Sequence, residues 1–412
     1  MRTLLFLLVT TAMVFCIVGC GGGHSNTSSQ PQDTVVQSKW TVLVYMSADS
    51  NLKPYAFYDL NEMERGVPTS AQFTNNPSVQ VLTQLDCPDT TTKRYKISHD
   101  TTSVVTSSYY DLGKNLDASN PQNFSDFLKW GCEKAPADNY LVVLWSHGSG
   151  WNADDDNSTR PTGAIIYDAN TGNFIRDYEL QPAIASVTGL SGKLRVLGFD
   201  ACLMNTLEVA DEVKNCANYM VGSEELEPGS GYDYTSTLQS IIATQDNSGN
   251  DVACHIESSA IAAWKNEGDT DCTFSVIDLS KVDPVVTAVN ALAERLIATH
   301  LLYSSNLVNI RENMIPFATS DRHLYDLSDY AQRIKDNIPD QTTVQAADAL
   351  ITAIGACVVK SDAFYTSYDP GAHGLSIYLP PATVFVNTAA TSYAMLALSQ
   401  ESQWDEWLSV TP

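Results

Sequence analysis

The chain has 412 residues, 44% of them hydrophobic, enough to bury a sizeable core in one large domain or two ordinary ones. Its 48 acidic residues outnumber 23 basic ones, for a net charge of −25. With no basic stripe to neutralise phosphates, that balance argues against nucleic acid as a partner.

At the N-terminus, Arg2 precedes an apolar run from Leu4 to Val18, too short for a typical membrane-spanning helix. The run ends Ile17-Val18-Gly19-Cys20. A charged start, an apolar centre and small residues at the end mark an export signal. The segment resembles a bacterial lipoprotein signal, which implies cleavage before Cys20 and a lipid on its sulfur. An ordinary secretory signal is the alternative. The expected organisation is a signal over 1–19, a flexible Gly/Ser/Thr/Gln tether over 20–38 that begins at lipidated Cys20, and one globular domain over 39–412, held at the cell envelope outside the cytoplasm.

Within that domain, Thr41–Met46 reads as a buried strand, followed by turn and cap residues Ser47, Asp49 and Ser50 and a helix over 51–65. Val79–Leu85 is a second strand, and 90–111 alternates like a hairpin. A helix is expected over Pro121–Lys134, with Phe124, Phe127, Leu128 and Cys132 on one stripe. Tyr140–Trp145 is a third buried strand and ends at Ser146-His147-Gly148. A polar loop leads to a short strand over 164–167 and a helix over 178–187. The apolar run from Leu194 to Phe199 then makes a strand that stops at Asp200-Ala201-Cys202, with a helix expected just after the cysteine. Further strands are expected at 219–222, 274–279 and 374–379, with helices over 235–243, 252–266, 283–300 and 341–354. Strands alternating with helices predict a mostly parallel sheet covered on both faces.

Nine cysteines are present. Cys16 leaves with the signal. No CxxC pair occurs, which argues against zinc and thioredoxin chemistry. Export permits disulfides, and Cys254 and Cys272, flanking a helical segment, are the first pair to examine.

Two strands therefore end in reactive groups, His147 and Cys202. Peptide hydrolysis by cysteine needs a thiolate, an imidazole to carry a proton to the leaving amine, and N–H donors for the oxyanion. Helix N–H dipoles after Cys202 would favour its thiolate. Gly148, without a side chain, lets its N–H approach a substrate oxygen, and the N–H of Cys202 is the natural second donor. Taken singly, a buried cysteine is more often a small core residue, and a histidine after a strand a loop residue. Their pairing at two strand ends favours chemistry.

WSHGSGW and GFDACLMNTLEVA resemble the clostripain family of cysteine peptidases, in the clan of caspases, gingipains and legumains. VYMSADSNL, GSEELEPGSGYDY and GLSIYLP extend the likeness over about 40–380. The resemblance implies a caspase-like α/β/α sandwich and a His147–Cys202 dyad with no required third member. It also implies that Asp200 binds a basic side chain before the scissile bond, so that substrates are proteins or peptides cut after Arg or Lys. A carboxylate there suits a guanidinium, the lesser alternative being that Asp200 caps the following helix. A second pocket acid falls among Glu224, Glu225 and Asp233, with Glu224 and Asp233 the chosen candidates.

The family implies self-cleavage between the His and Cys strands. Here Arg160 is followed by Pro161, which disfavours cleavage, and the next basic residue is Arg176. No cofactor is required by a thiol and an imidazole. Some relatives respond to calcium, for which Asp154-Asp155-Asp156 offers oxygen ligands without EF-hand spacing, a solvated loop being the simpler reading. Tyr232, Tyr234 and Trp151 serve either a substrate groove or packing. The contrasting function is a non-catalytic binding or structural lipoprotein on the same fold, against which the retention of His147, Gly148 and Cys202 argues.

Overall fold

The first long strand, β1 (Ser38–Ser47), alternates its side chains between two cores. Val42, Val44 and Met46 enter one, Leu43 and Tyr45 the other. Such a strand, apolar on both sides, belongs in the middle of a covered sheet. In the computed structural model, which describes residues 35–69, 78–88, 90–151, 165–244, 246, 248–366 and 369–412, that is where it lies. The export signal, Cys20, Asp154–Asp156 and Arg160 fall outside the described residues.

The other strands, in chain order, are β2 (Val79–Asp86), β3 (Lys93–Lys96), β4 (Ser108–Asp111), β5 (Ala137–Trp145), β6 (Ile165–Asp168), β7 (Asn173–Ile175), β8 (Leu194–Asp200), β9 (Tyr219–Gly222), β10 (Cys272–Asp278), β11 (Leu324–Asp326), β12 (Val358–Phe364) and β13 (Ser376–Tyr378). Among the described residues, eight of them join β1 in one nine-stranded sheet, in the order β12-β10-β9-β8-β5-β1-β2-β3-β4. Its centre, β9-β8-β5-β1-β2, is parallel. The flanking strands β10, β12, β3 and β4 pair antiparallel.

Helices Lys53–Gly66, Tyr234–Ala243 and Asn250–Glu267 pack on one face through Leu60, Met63, Leu238, Ile256 and Trp264. Helices Pro121–Lys134, Asp177–Ala185, Leu207–Val213 and Val282–Thr299 cover the other through Phe124, Phe127, Ile184, Val209 and Leu292. The α/β/α sandwich expected from the sequence is therefore present. The strand order runs outward from β1 in two directions, so the crevice between its end and that of β5 is a topological switch point, where open α/β sheets place their sites.

Three expectations need correction. Cys254 and Cys272 are both free thiols. Cys254 lies in the first half of helix Asn250–Glu267 and Cys272 opens the strand after it. At a rise of ~1.5 Å per residue, the helix carries them much further apart than the ~7 Å a disulfide spans. Second, the strand expected over 374–379 leaves the large sheet and pairs as β13 with β11, while β12 takes the sheet edge. Third, no helix starts at Cys202. Leu203 adopts a left-handed φ of 65°, its N–H donates to the Glu225 carbonyl at 3.1 Å, and the Asn205 N–H donates to the Ser223 carbonyl at 2.9 Å. The helix begins at Leu207, capped by the Thr206 side chain. A strand-like tie to the 223–225 segment outcompetes helix nucleation, which returns little until its first turn is closed.

Among the described residues, no helix is long and apolar enough to cross a membrane. Leu197, fully buried beside β5, carries much of one core. Leu197→Ala is expected to lower unfolding stability by about 2–5 kcal/mol, read as a lower midpoint in denaturant with an unchanged slope.

Candidate active site

The parallel register of β5 and β8 sets Trp145 opposite Asp200. Two residues past that pair the chains carry His147 and Cys202, so both reactive groups leave the sheet at the same level. The Ser146 N–H still reaches the Asp200 carbonyl, at 3.3 Å. Gly148 then packs so closely on the second strand end that a Cβ would fall 2.5 Å from the Cys202 carbonyl oxygen. Glycine is needed there because backbone from the cysteine loop fills the space. An antiparallel bridge from Gly148 to Ile165 fixes the loop on its other side.

His147, Cys202 and Asp200 line one open cleft, together with Leu52, Trp145, Glu227 and Gly231. The His147 Nε2 donates to the Asn51 Oδ1 at 2.7 Å, which leaves Nδ1 as the ring's acceptor. Burial lowers the imidazole's proton affinity. The Cys202 sulfur accepts a hydrogen bond from the Glu227 N–H at 3.3 Å. Burial, reinforced by the Glu227 carboxylate, nevertheless pushes the thiol up to about 12. The resting pair is thus a thiol and a neutral imidazole. The expected help from a helix N-terminus is missing because the helix starts only at Leu207.

Asp200 does not cap that helix. The strand's period of two turns its side chain toward the face that holds Tyr232 and Tyr234. It accepts from the Tyr234 hydroxyl at 2.7 Å and lies 3.5 Å from the Tyr232 N–H. Burial raises its carboxyl to about 7. Behind it, buried Asp59 accepts from the Trp145 indole N–H at 2.6 Å, and the Asp200 charge adds to the burial that raises Asp59.

The remaining acids divide sharply. Glu224 is fully buried away from the cleft, where it accepts from the Gly374 N–H at 2.8 Å. Glu225 accepts from the Ala318 N–H at 2.9 Å. Asp233 caps helix Tyr234–Ala243 through the Ser236 N–H at 2.8 Å and faces a different depression, beside Tyr58 and Glu62. The acid that does enter the cleft is Glu227. Both its carboxylate oxygens are buried without a hydrogen-bond partner among the described residues. Burial and the Asp200 charge drive its proton affinity well up. Glu227 stands in the acidic run SEELEP, but no spacing singled it out there. Asn51, where the sequence predicts the helix to begin, lies before the observed helix start at Lys53 and carries no sequence signal for its contact with His147. Tyr232, Tyr234 and Trp151 are core residues, Trp151 meeting Tyr378 and Tyr393 edge-on. The Arg176–Asp177 bond opens a helix whose Asp177 is buried, a poor shape for cleavage.

Comparison with known proteins follows this geometry. The model of the Clostripain family matches residues 44–410. Clostripain from Hathewaya histolytica is 22% identical over 86% of this chain and 77% of its own. Among solved structures, a secreted cysteine protease from Bacteroides thetaiotaomicron, bound to an irreversible peptide inhibitor, superposes with a TM-score of 0.66 at 20% identity, over 90% of this chain and 98% of that one. An inactive protease zymogen from Parabacteroides distasonis gives 0.65 at 21% identity, over 88% and 97%.

The thiol–imidazole state has a measurable signature. With the thiol near 12, its thiolate fraction grows about tenfold per pH unit across the neutral and alkaline range. Iodoacetamide labelling of Cys202, followed by peptide mapping of the resting protein, should still be climbing at about pH 10. A plateau from about pH 6 would instead mark a pre-formed thiolate–imidazolium pair.

Proposed function

This chain belongs to the clostripain family of cysteine peptidases, and from that premise we propose that it is a lipid-anchored endopeptidase, facing outside the cytoplasm, that cuts proteins and peptides after Arg or Lys. The observation that carries the specificity is the pair of acids beside the candidate nucleophile. Asp200 and Glu227 flank Cys202 in one cleft, and both Glu227 oxygens are buried without a partner. Two carboxylates raised by burial, with the Asp200 charge adding to the effect on Glu227, are stabilised by an incoming cation, and a planar guanidinium satisfies several acceptors at once.

In this reading the Cys202 sulfur attacks the scissile carbonyl carbon while its proton passes to the His147 imidazole. The imidazolium then gives a proton to the leaving amine. The resulting thioester is hydrolysed by water, which restores the thiol. The N–H groups of Gly148 and Cys202 are the donors for the tetrahedral oxyanion. Asn51 holds the ring through Nε2, so Nδ1 serves as the proton-accepting edge. No resident cofactor enters these steps.

The basic side chain then does more than bind. The negative field of Glu227 is part of what keeps Cys202 protonated. A guanidinium seated between Glu227 and Asp200 cancels that field and eases ionisation of the thiol at the moment substrate arrives. The nucleophile is thereby activated by the correct substrate.

Fluorogenic peptides ending in Arg, Lys and Leu, read against Cys202→Ala, test the activity. The expected order is Arg and Lys far above Leu, with no turnover by the alanine variant. Glu227→Gln should lower kcat/KM for Arg peptides by about tenfold or more, yet speed alkylation of Cys202 in the resting protein. Unchanged Arg preference in both Asp200→Asn and Glu227→Gln would remove the specificity reading and leave the peptidase intact.

Residues 1–20 support the anchor: an apolar signal ending at Gly19-Cys20, then a tether over 20–38 and the peptidase domain over 39–412. Cys20→Ser is expected to move the protein from the membrane fraction to the soluble one and to abolish incorporation of labelled palmitate. Retention in membranes without label would refute lipidation.

A further inference from the structure

The chain is strongly acidic, yet one part of its surface reverses that balance. Strands β3 and β4 form one edge of the large sheet, and helix Pro121–Lys134 packs beside them. Together these elements carry five basic residues, Lys93, Arg94, Lys96, Lys129 and Lys134, against three acids, Asp111, Asp126 and Glu133. The whole chain carries 23 against 48. Among the described residues, none of the five cations forms an ion pair with a carboxylate.

Aromatic rings lie among these cations. Tyr109 and Tyr110, on the outermost strand β4, are 50% and 40% exposed. The Lys93 ammonium lies 4.6 Å from the centre of the Tyr109 ring, and the Lys134 ammonium 5.5 Å from that of Tyr110. The Arg94 guanidinium lies 5.2 Å from the centre of the Trp130 ring, and Trp130 meets Tyr110 edge-on at 5.9 Å. Tyrosine and tryptophan join an apolar body to a polar tip, and lysine and arginine lay apolar stems beneath a charged head. That combination suits the boundary between a bilayer and water.

The point where the chain enters the domain is a second, independent observation. The Ser38 N–H, at the start of β1, donates to the Pro136 carbonyl at 2.9 Å, and Pro136 lies two residues past Lys134. The tether expected over 20–38 thus meets the domain beside one end of the patch. Ser38 also pairs with Ala137, the first residue of β5. The candidate cleft opens past the other end of β5. At ~3.3 Å per strand residue, about 30 Å separates the two.

We propose that this face docks on an anionic lipid surface, with headgroup phosphates against Lys93, Arg94 and Lys134 and the tyrosine rings at headgroup level. The role of docking rests on the lipid anchoring proposed above: a lipid tethers without orienting, and the patch fixes which side of the domain meets the bilayer. The cleft, at the far end of the strands from the tether, stays open to polypeptides. The acidic remainder of the chain does not prevent approach, because at physiological salt charges beyond ~8 Å are largely screened.

The test uses the mature chain over 20–412 carrying Cys20→Ser. It has no lipid, so its outcome stands apart from both the anchoring and the peptidase readings. The protein is mixed with vesicles of phosphatidylcholine alone, or of phosphatidylcholine with an equal part of phosphatidylglycerol, and the sedimenting fraction is measured. Binding to the anionic vesicles should exceed binding to the neutral ones by at least about tenfold, and should collapse in about 1 M NaCl, where the screening length falls to about 3 Å. Lys93→Glu combined with Lys134→Glu should weaken the anionic binding by at least about tenfold. Lys281→Glu combined with Lys335→Glu changes the net charge equally outside the patch and should bind as the parent does. If the first pair fails to fold, Lys93→Gln with Lys134→Gln replaces it, with an expected loss of about fivefold or more. Absence of sedimentation with anionic vesicles, equal binding to both kinds, or an equal loss in the two charge-reversed pairs would overturn the docking surface.

Discussion

The pairing of β5 with β8 is the constraint on which the site depends. Parallel strands hold a fixed register, and here Trp145 faces Asp200. Equal two-residue extensions beyond that pair deliver His147 and Cys202 to the same edge. A slip of one residue would turn every side chain of β8 to the opposite face. It would bury Asp200 among Phe199's neighbours and point Phe199 at the tyrosines. The two cores forbid this, because Val196 and Leu197 already sit in different ones. The geometry of the candidate site is therefore secured by hydrophobic packing, at some distance from the His147 and Cys202 side chains.

Once register fixes position, electrostatics fixes state. The cleft holds Asp200 and Glu227 with Asp59 behind them, and among the described residues no Lys or Arg lines it. Burial, reinforced by the Glu227 carboxylate, raises the Cys202 thiol, while burial lowers the His147 imidazole. A second acidic cluster, Asp49, Asp86 and Asp168, lies on the same side of the sheet. Both clusters share one origin: strand C-termini converge there, and short acidic residues at strand ends collect in the crevice that the topology opens.

Much of this was legible in order along the chain. The buried strands announced themselves as continuous apolar runs, and WSHGSGW with GFDACLM marked the two ends that matter. The limits of legibility are equally specific. Glu227 is one of three acids in SEELEP, and its entry into the cleft depends on the loop that folds back over Cys202. Glu224 and Asp233 had the same chemistry but were consumed elsewhere, one by the Gly374 N–H and one as a helix cap. The missing helix after Cys202 escaped for a related reason: LMNTLEVADEVK is helix-forming locally, but Leu203 and Asn205 are tied to a distant segment.

The sequence by itself determined the α/β/α class, the two reactive strand ends and the acidic character, because apolar periodicity and strand-terminal residues are local properties. Only the tertiary structure decided which acid joins Asp200, that Asn51 holds the imidazole, that burial raises the Cys202 thiol, and that three aspartates from separate segments meet. Each of those facts is set by burial and by contacts between segments far apart in the chain. A carboxylate's partner and charge state follow from what folds against it.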